Sequence, residues 1–242
     1  MPFQRTYPDG GVSESEYLPA DIDSAELAAR LGSPDVYRRE GRVISVTDFS
    51  PNTEGWKFSS AFNFISTRQA YNGVSSAYIS GDPPPAQRMI SKDLPVNSSL
   101  KMGLSVYNMI SFSLFQNIYV RMKHISSTII KNATIKIDYN AAQISYLNSA
   151  GTYTLFYSNP EVKTLDKWIN WKLIADFEND LYLRFFYNNI DTMAGITPPA
   201  LRVTAGATFG TGIEAALYAE SSLAPNSFYT FFDSPIITIH EF

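Results

Sequence analysis

Between residues 133 and 187 the apolar and polar positions keep a period of two. Ile135, Ile137 and Tyr139 fall on one side of the chain, and Lys136, Asp138 and Asn140 on the other. That alternation predicts a strand with one buried and one wet face. Runs rich in β-branched and aromatic residues follow at Gln143–Asn148, Tyr153–Tyr157, Trp168–Phe177 and Leu181–Tyr187. Ser149-Ala150-Gly151 and Asn179-Asp180 separate them with small or turn-forming residues, which predicts antiparallel strands on short connections.

The same grammar extends both ways. Upstream, strands are expected at Val43–Val46, Phe62–Ile65, Gly73–Ser80, from Met89, and at Tyr119–Ile125. Leu100–Tyr107 and Ile110–Phe115 read as hairpin material. In the Tyr119 run, Ile118, Val120, Met122 and His124 share one face, and Tyr119, Arg121, Lys123 and Ile125 the other. Gly81-Asp82-Pro83-Pro84-Pro85 stops any ladder. Downstream, Leu201–Ala205, Phe228–Asp233 and the final run from Ile236 through Phe242 read as strands. Ile213–Ala219 is compatible with a helix, but its flanks favour a strand. Gly206, Gly210 and Gly212 read as bends or bulges in a sheet. Twelve to fourteen short strands without helical crossovers predict an all-β fold, two antiparallel sheets in a jelly-roll sandwich over residues 42–242. The last strand is expected to pair with Val43–Val46.

Residues 1–41 lack this pattern. Residues 24–31 predict a short helix, with Asp23 as N-cap, Glu26 three places later, Gly32 to close it and Pro34 to stop it. Residues 1–22 carry Pro2, Pro8, Gly10, Gly11 and Pro19, with Phe3, Tyr7, Tyr17 and Leu18 as isolated anchors. Two readings stand: a disordered leader, or an extended arm that orders against a neighbouring subunit.

Composition narrows the function classes. Apolar residues make up 45%, with 16 Phe and 15 Tyr, while charged residues reach only 17%. This fits aromatic-rich sheets with uncharged polar surfaces. The net charge of −4 and the lack of a Lys/Arg block argue against nucleic acid as a partner. Without cysteine there are no disulfides or thiolate metal sites. No apolar signal-peptide core follows Met1-Pro2-Phe3, and no stretch approaches membrane-spanning length. The expectation is synthesis in the cytoplasm and, for action elsewhere, incorporation into a virion or other particle. His124 and His240 lie far apart in sequence, and no Gly-x-Ser-x-Gly elbow or P-loop is present.

Three features carry a resemblance. Val46-Thr47-Asp48-Phe49-Ser50 is followed closely by Trp56. Lys136-Ile137-Asp138-Tyr139 leads through Trp168 and Trp171-Lys172-Leu173 to Asp176. Phe232-Asp233 precedes Ile236–Ile239. Over residues 43–242 the chain resembles the concanavalin A-like jelly-roll superfamily, which includes laminin G-like and legume lectin-like domains. The fold hosts lectins, glycanases and structural modules. The Glu-x-Asp-x-x-Glu strand of laminarinase-like glycanases is missing, and the glutamates are scattered singly, so no enzyme is expected. The legume lectin type implies Ca²⁺ held by clustered acidic residues. Asp176, Glu178 and Asp180 are the candidate ligands, although Asn179-Asp180 is also good turn chemistry.

Tyr71, Tyr78, Tyr107, Tyr119, Tyr153, Tyr157, Tyr187, Tyr218 and Tyr229 are too many for the core alone. Of these, Tyr78, Tyr107, Tyr119, Tyr157 and Tyr187 are the candidate sugar platforms. Two functions compete. One is a non-enzymatic assembly module of a particle, a phage virion or tail for example, docking on protein partners or on itself through the arm. The other is a carbohydrate-binding, lectin-like module using an aromatic groove on one sheet.

Overall fold

The computed structural model describes residues 42–47, 49, 53, 55–59, 63–71, 74–80, 86–95, 99–110, 117–205, 211–221 and 229–241. The proposed arm, its helix and residues 206–210 lie outside the described residues. Sixteen strands are described, two or more beyond the number expected, all paired antiparallel in two sheets. The surplus comes from short pieces such as β2 (Lys57–Phe58) and β13 (Ile190–Asp191), too brief for a period of two to show.

The first sheet runs in the order β13, β12 (Leu181–Tyr187), β11 (Trp168–Asp176), β6 (Lys101–Ile110), β16 (Tyr229–Ile239), β4 (Ser76–Ser80), β3 (Asn63–Ser66). The second runs β10 (Tyr153–Ser158), β9 (Gln143–Leu147), β8 (Ile129–Asp138), β7 (Asn117–Ile125), β15 (Gly212–Ser221), β5 (Ala86–Leu94), β2. Among the described strands the chain passes repeatedly from one sheet to the other, at β4–β5, β5–β6, β6–β7, β10–β11, β13–β14 and β15–β16 as well as on either side of β2, which makes the sandwich a jelly roll. Segment 213–219 is a strand, part of β15. The only helical turn described is a 3₁₀ turn at Pro160–Lys163, capped by the Asn159 side chain.

Two strands share an edge with others. β1 (Arg42–Val46) pairs with the last half of β16, as expected, while β4 pairs with its first half. The change of partner falls at a bulge after Asp233, where Ser234 takes a positive φ of 47°. β14 (Arg202–Ala205) pairs with Ile129–Asn132 of β8, while β9 pairs with Ile135–Asp138 of the same strand.

The core lies between the sheets. Ile118, Val120, Met122, Ile135 and Ile137 from the second sheet meet Leu104, Val106, Trp171, Leu173 and Phe185 from the first. Phe49 and Trp56, which carried the opening motif, pack together in it with ring centres 6.2 Å apart. The Trp56 indole donates to Thr47 Oγ1 at 3.1 Å.

The expected break before Ile110 does not occur: residues 101–110 form a single strand. Asn108 is fully buried within it, although asparagine ordinarily marks turns. Its amide donates to Thr230 Oγ1 (2.6 Å) and the Phe231 carbonyl (2.9 Å), and its oxygen accepts from the Tyr139 hydroxyl (3.3 Å). Those partners stabilise it where an unsatisfied amide would cost a few kcal/mol. His240 falls just beyond the final strand, exposed and at a φ of 58°.

Candidate functional site

The period of two that buries one face of β7, β8 and β15 turns the alternate residues outward. On β7 these are Tyr119, Arg121 and Lys123; on β15 they are Glu214, Ala216 and Tyr218. Register aligns them in rows. Met89, Tyr218, Tyr119 and Lys136 lie side by side across four strands, and Asp93, Glu214, Lys123, Asn132 and Arg202 across five. The first row sets the rings of Tyr119 and Tyr218 side by side, and the second places Glu214 beside Lys123, with Arg202 two strands further on.

Tyr119, Arg121, Asn132, Thr134, Leu147, Gly151, Tyr153, Arg202 and Tyr218 line an open cavity of about 220 Å³ on this face. Tyr119 stands edge-on to Tyr218 at 6.3 Å and tilted to Tyr153 at 5.9 Å. The Arg121 guanidinium lies 4.2 Å from the centre of the Tyr218 ring, a cation–π contact. Tyr153 is 43% exposed and so presents part of its ring to solvent.

Arg121 is held by Glu214, which also accepts from Lys123 at 3.2 Å. The Tyr119 hydroxyl donates to Glu220. Burial and that carboxylate push the Tyr119 hydroxyl far above its ordinary range. Tyr153 is pushed up to about 12, by burial and then by Glu220, against the opposing pull of Arg121 and Arg202. Both phenols are therefore neutral donors at physiological pH. Two buried polar atoms around the cavity have no hydrogen-bond partner, Arg121 Nε and the Tyr218 hydroxyl.

The cavity floor falls at the seam between β9 and β14, where neither reaches Ala133–Thr134 of β8. Tyr182, from the first sheet, fills that gap through the core. Its hydroxyl accepts from the Thr134 amide (2.9 Å) and donates to the Leu147 carbonyl (2.8 Å), with the Thr134 carbonyl at 3.2 Å as alternative acceptor.

One of the five tyrosines selected from sequence, Tyr119, lines the cavity. Tyr78 and Tyr107 lie on the outer face of the first sheet. Tyr78 is packed between Phe64 (4.5 Å) and Phe231 (5.4 Å), and Tyr107 is stacked under Tyr71 at 3.7 Å. Tyr187 is in the core against Trp171, its hydroxyl on the Glu161 carbonyl at 2.8 Å. Tyr157 packs half-buried beside it. Alternation around Tyr119 already placed Arg121 outward. Tyr153 and Tyr218 are among the nine surplus tyrosines but not among the five selected, and no local signal brings Arg202 here.

The acidic trio is divided among other tasks. Asp176 Oδ1 accepts the amides of Glu178 (2.9 Å) and Asn179 (3.0 Å), and Oδ2 accepts the Asn179 side chain (2.8 Å). Burial tends to raise the Asp176 pKa, but these bonds and Lys101 outweigh it and hold the carboxyl below its usual range. Asp180 pairs with Lys131 at 2.7 Å, and Glu178 is exposed. Among the described residues no three His, Asp or Glu side chains are grouped to hold a metal. No described helix is long and apolar enough to cross a membrane.

No protein-family model matches the sequence, and no curated protein matches it. Solved structures share its fold. A sialidase matches 83% of this chain at 6% identity and TM-score 0.50, with this chain spanning only 19% of that protein. A conserved carbohydrate esterase from the Shiga toxin-encoding bacteriophage phi24B matches 83% of this chain and 99% of its own, at 11% identity and TM-score 0.53. The exoplasmic/lumenal domain of VIP36, in its Ca²⁺/Man3GlcNAc-bound form, matches 78% of this chain and 85% of its own, at 10% identity and TM-score 0.50. At such identities the likeness shows the fold alone: a two-sheet jelly-roll β-sandwich.

Proposed function

We propose that this lectin-like jelly-roll sandwich is a non-catalytic carbohydrate-binding module whose site is the tyrosine-lined cavity on the outer face of the second sheet. The observation that carries this reading is the cavity itself. Tyr119, Tyr153 and Tyr218 supply ring surface, while Arg121, Arg202, Asn132 and Thr134 supply donors and acceptors around it. Apolar walls with a few convergent polar groups are the ordinary composition of a small-ligand site. A sugar matches it, with C–H faces for the rings and hydroxyls for the polar groups. The structural neighbours support the same class, because one of similar fold was solved with an oligosaccharide bound.

Glycoside hydrolysis is disfavoured on chemical grounds. It ordinarily requires two carboxyl groups facing the scissile bond, and among the described residues the lining contains none. A glycan array on the whole chain tests the proposal, followed by titration of any hit against Tyr153→Ala. Removing an exposed ring is expected to weaken binding about tenfold. A blank array, or binding unmoved by Tyr153→Ala, refutes the assignment. The particle-docking reading depends on residues 1–41, outside the described residues, so the binding reading has the stronger support.

A further inference from the structure

Resting on that reading, we infer that the preferred ligand is an acidic saccharide whose ring carboxylate is received by Arg202. Arg202 lines the cavity from β14, which reaches this position only through pairing with β8. Its guanidinium has neither a hydrogen bond nor an ion pair in the described structure. It lies over the β9–β10 turn at Gly151. A Cβ added there would stand 3.1 Å from the Arg202 Cζ, and the backbone φ of +85° also favours glycine. The turn thus leaves room for the fork beside the cavity.

The surrounding charge is unbalanced in the same sense. Glu214 is the carboxylate shared by Arg121 and Lys123, so one anion answers two cations before Arg202 adds a third. Glu220 opposes them with its own negative charge while accepting from the neutral Tyr119 hydroxyl, so three cations face two carboxylates and the excess is the one positive charge of Arg202. This cationic pocket belongs to a chain of formal charge −4, so bulk charge does not explain it. A planar carboxylate matches the guanidinium fork with two parallel N–H···O bonds. The unpartnered hydroxyl of Tyr218, buried at 5% exposure in the same lining, supplies a further group for a ring hydroxyl.

The test is calorimetric titration of the full chain with oligosaccharides of galacturonic, glucuronic and mannuronic acid, each beside its carboxyl-reduced neutral counterpart. At least one acidic oligomer is expected to bind about 10- to 100-fold tighter than its neutral form. Arg202→Gln should erase that preference without changing the melting temperature, and Arg202→Lys should restore it only in part. The preference should also shrink between 50 and 500 mM salt in the unaltered chain, a readout independent of any variant. Equal binding of acidic and neutral forms overturns the inference and leaves the carbohydrate-binding reading standing. Binding of neutral sugars alone has the same consequence. No binding to any member, with a blank array, overturns both.

Discussion

Removing a single oxygen at Tyr182 tests whether the seam beneath the cavity is held as described. Tyr182→Phe keeps the ring, which is fully buried beside Tyr146 at 5.5 Å, and deletes only the hydroxyl. The Thr134 amide then loses its acceptor at 2.9 Å and the Leu147 carbonyl its donor at 2.8 Å. Neither strand bordering the gap can move in to replace them, because β9 and β14 are each registered on other residues of β8. A typical buried hydrogen bond contributes about 1 kcal/mol net, and leaving its partner unsatisfied costs about 1–3 kcal/mol. The expected loss is about 3 kcal/mol, which for a chain of this size corresponds to roughly 6–12 °C in melting temperature. Thermal unfolding followed by circular dichroism measures it. Tyr187→Phe is the control, since it removes one hydroxyl bond to the Glu161 carbonyl and should cost about 1 kcal/mol. A Tyr182→Phe variant within about 0.5 kcal/mol of the parent would refute the account of the seam, that being the range of an uninvolved surface change.

Three further outcomes are expected. Gly103→Ala should destabilise the fold by about 1–3 kcal/mol in chemical denaturation. The new methyl would stand 2.5 Å from both Glu241 Oε1 and Thr238 Oγ1, displacing the buried carboxylate that pairs with Lys172 at 2.9 Å. His124 has its pKa lowered by burial and then by Lys131, so the unfolded chain takes up its proton first. Stability from this group is full above the unfolded value of about 6.5 and is lost as pH falls through the lower folded value. Replacing His124 with Gln should flatten stability against pH on that acid side, and an unchanged slope would contradict the assignment. Ligand affinity should stay level from about pH 6 to 9, because the Tyr153 hydroxyl titrates only near 12; a fall centred near pH 8 would count against a neutral phenol in the site.

Much of this architecture is legible in the order of residues. Ile135, Ile137 and Tyr139 alternate with Lys136 and Asp138 because the pleat sends successive side chains to opposite faces, and the structure buries the first three. The outward row on β7 follows from the same rule, so Tyr119, Arg121 and Lys123 were placed by sequence. Asn108 shows where the local signal fails: a turn residue becomes a buried hub once Thr230 and Phe231 arrive from more than a hundred residues away.

The site itself depended on pairings that no local pattern encodes. Tyr119 meets Tyr218 because β7 lies beside β15, and Arg202 joins them because β14 takes the stretch of β8 that β9 leaves free. Periodicity chooses a face, since that choice depends only on neighbours along the chain. Which faces lie side by side is decided by long-range registers, and so tertiary structure alone brought one tyrosine of the candidate five into this cavity and set Arg202 in the lining with Arg121.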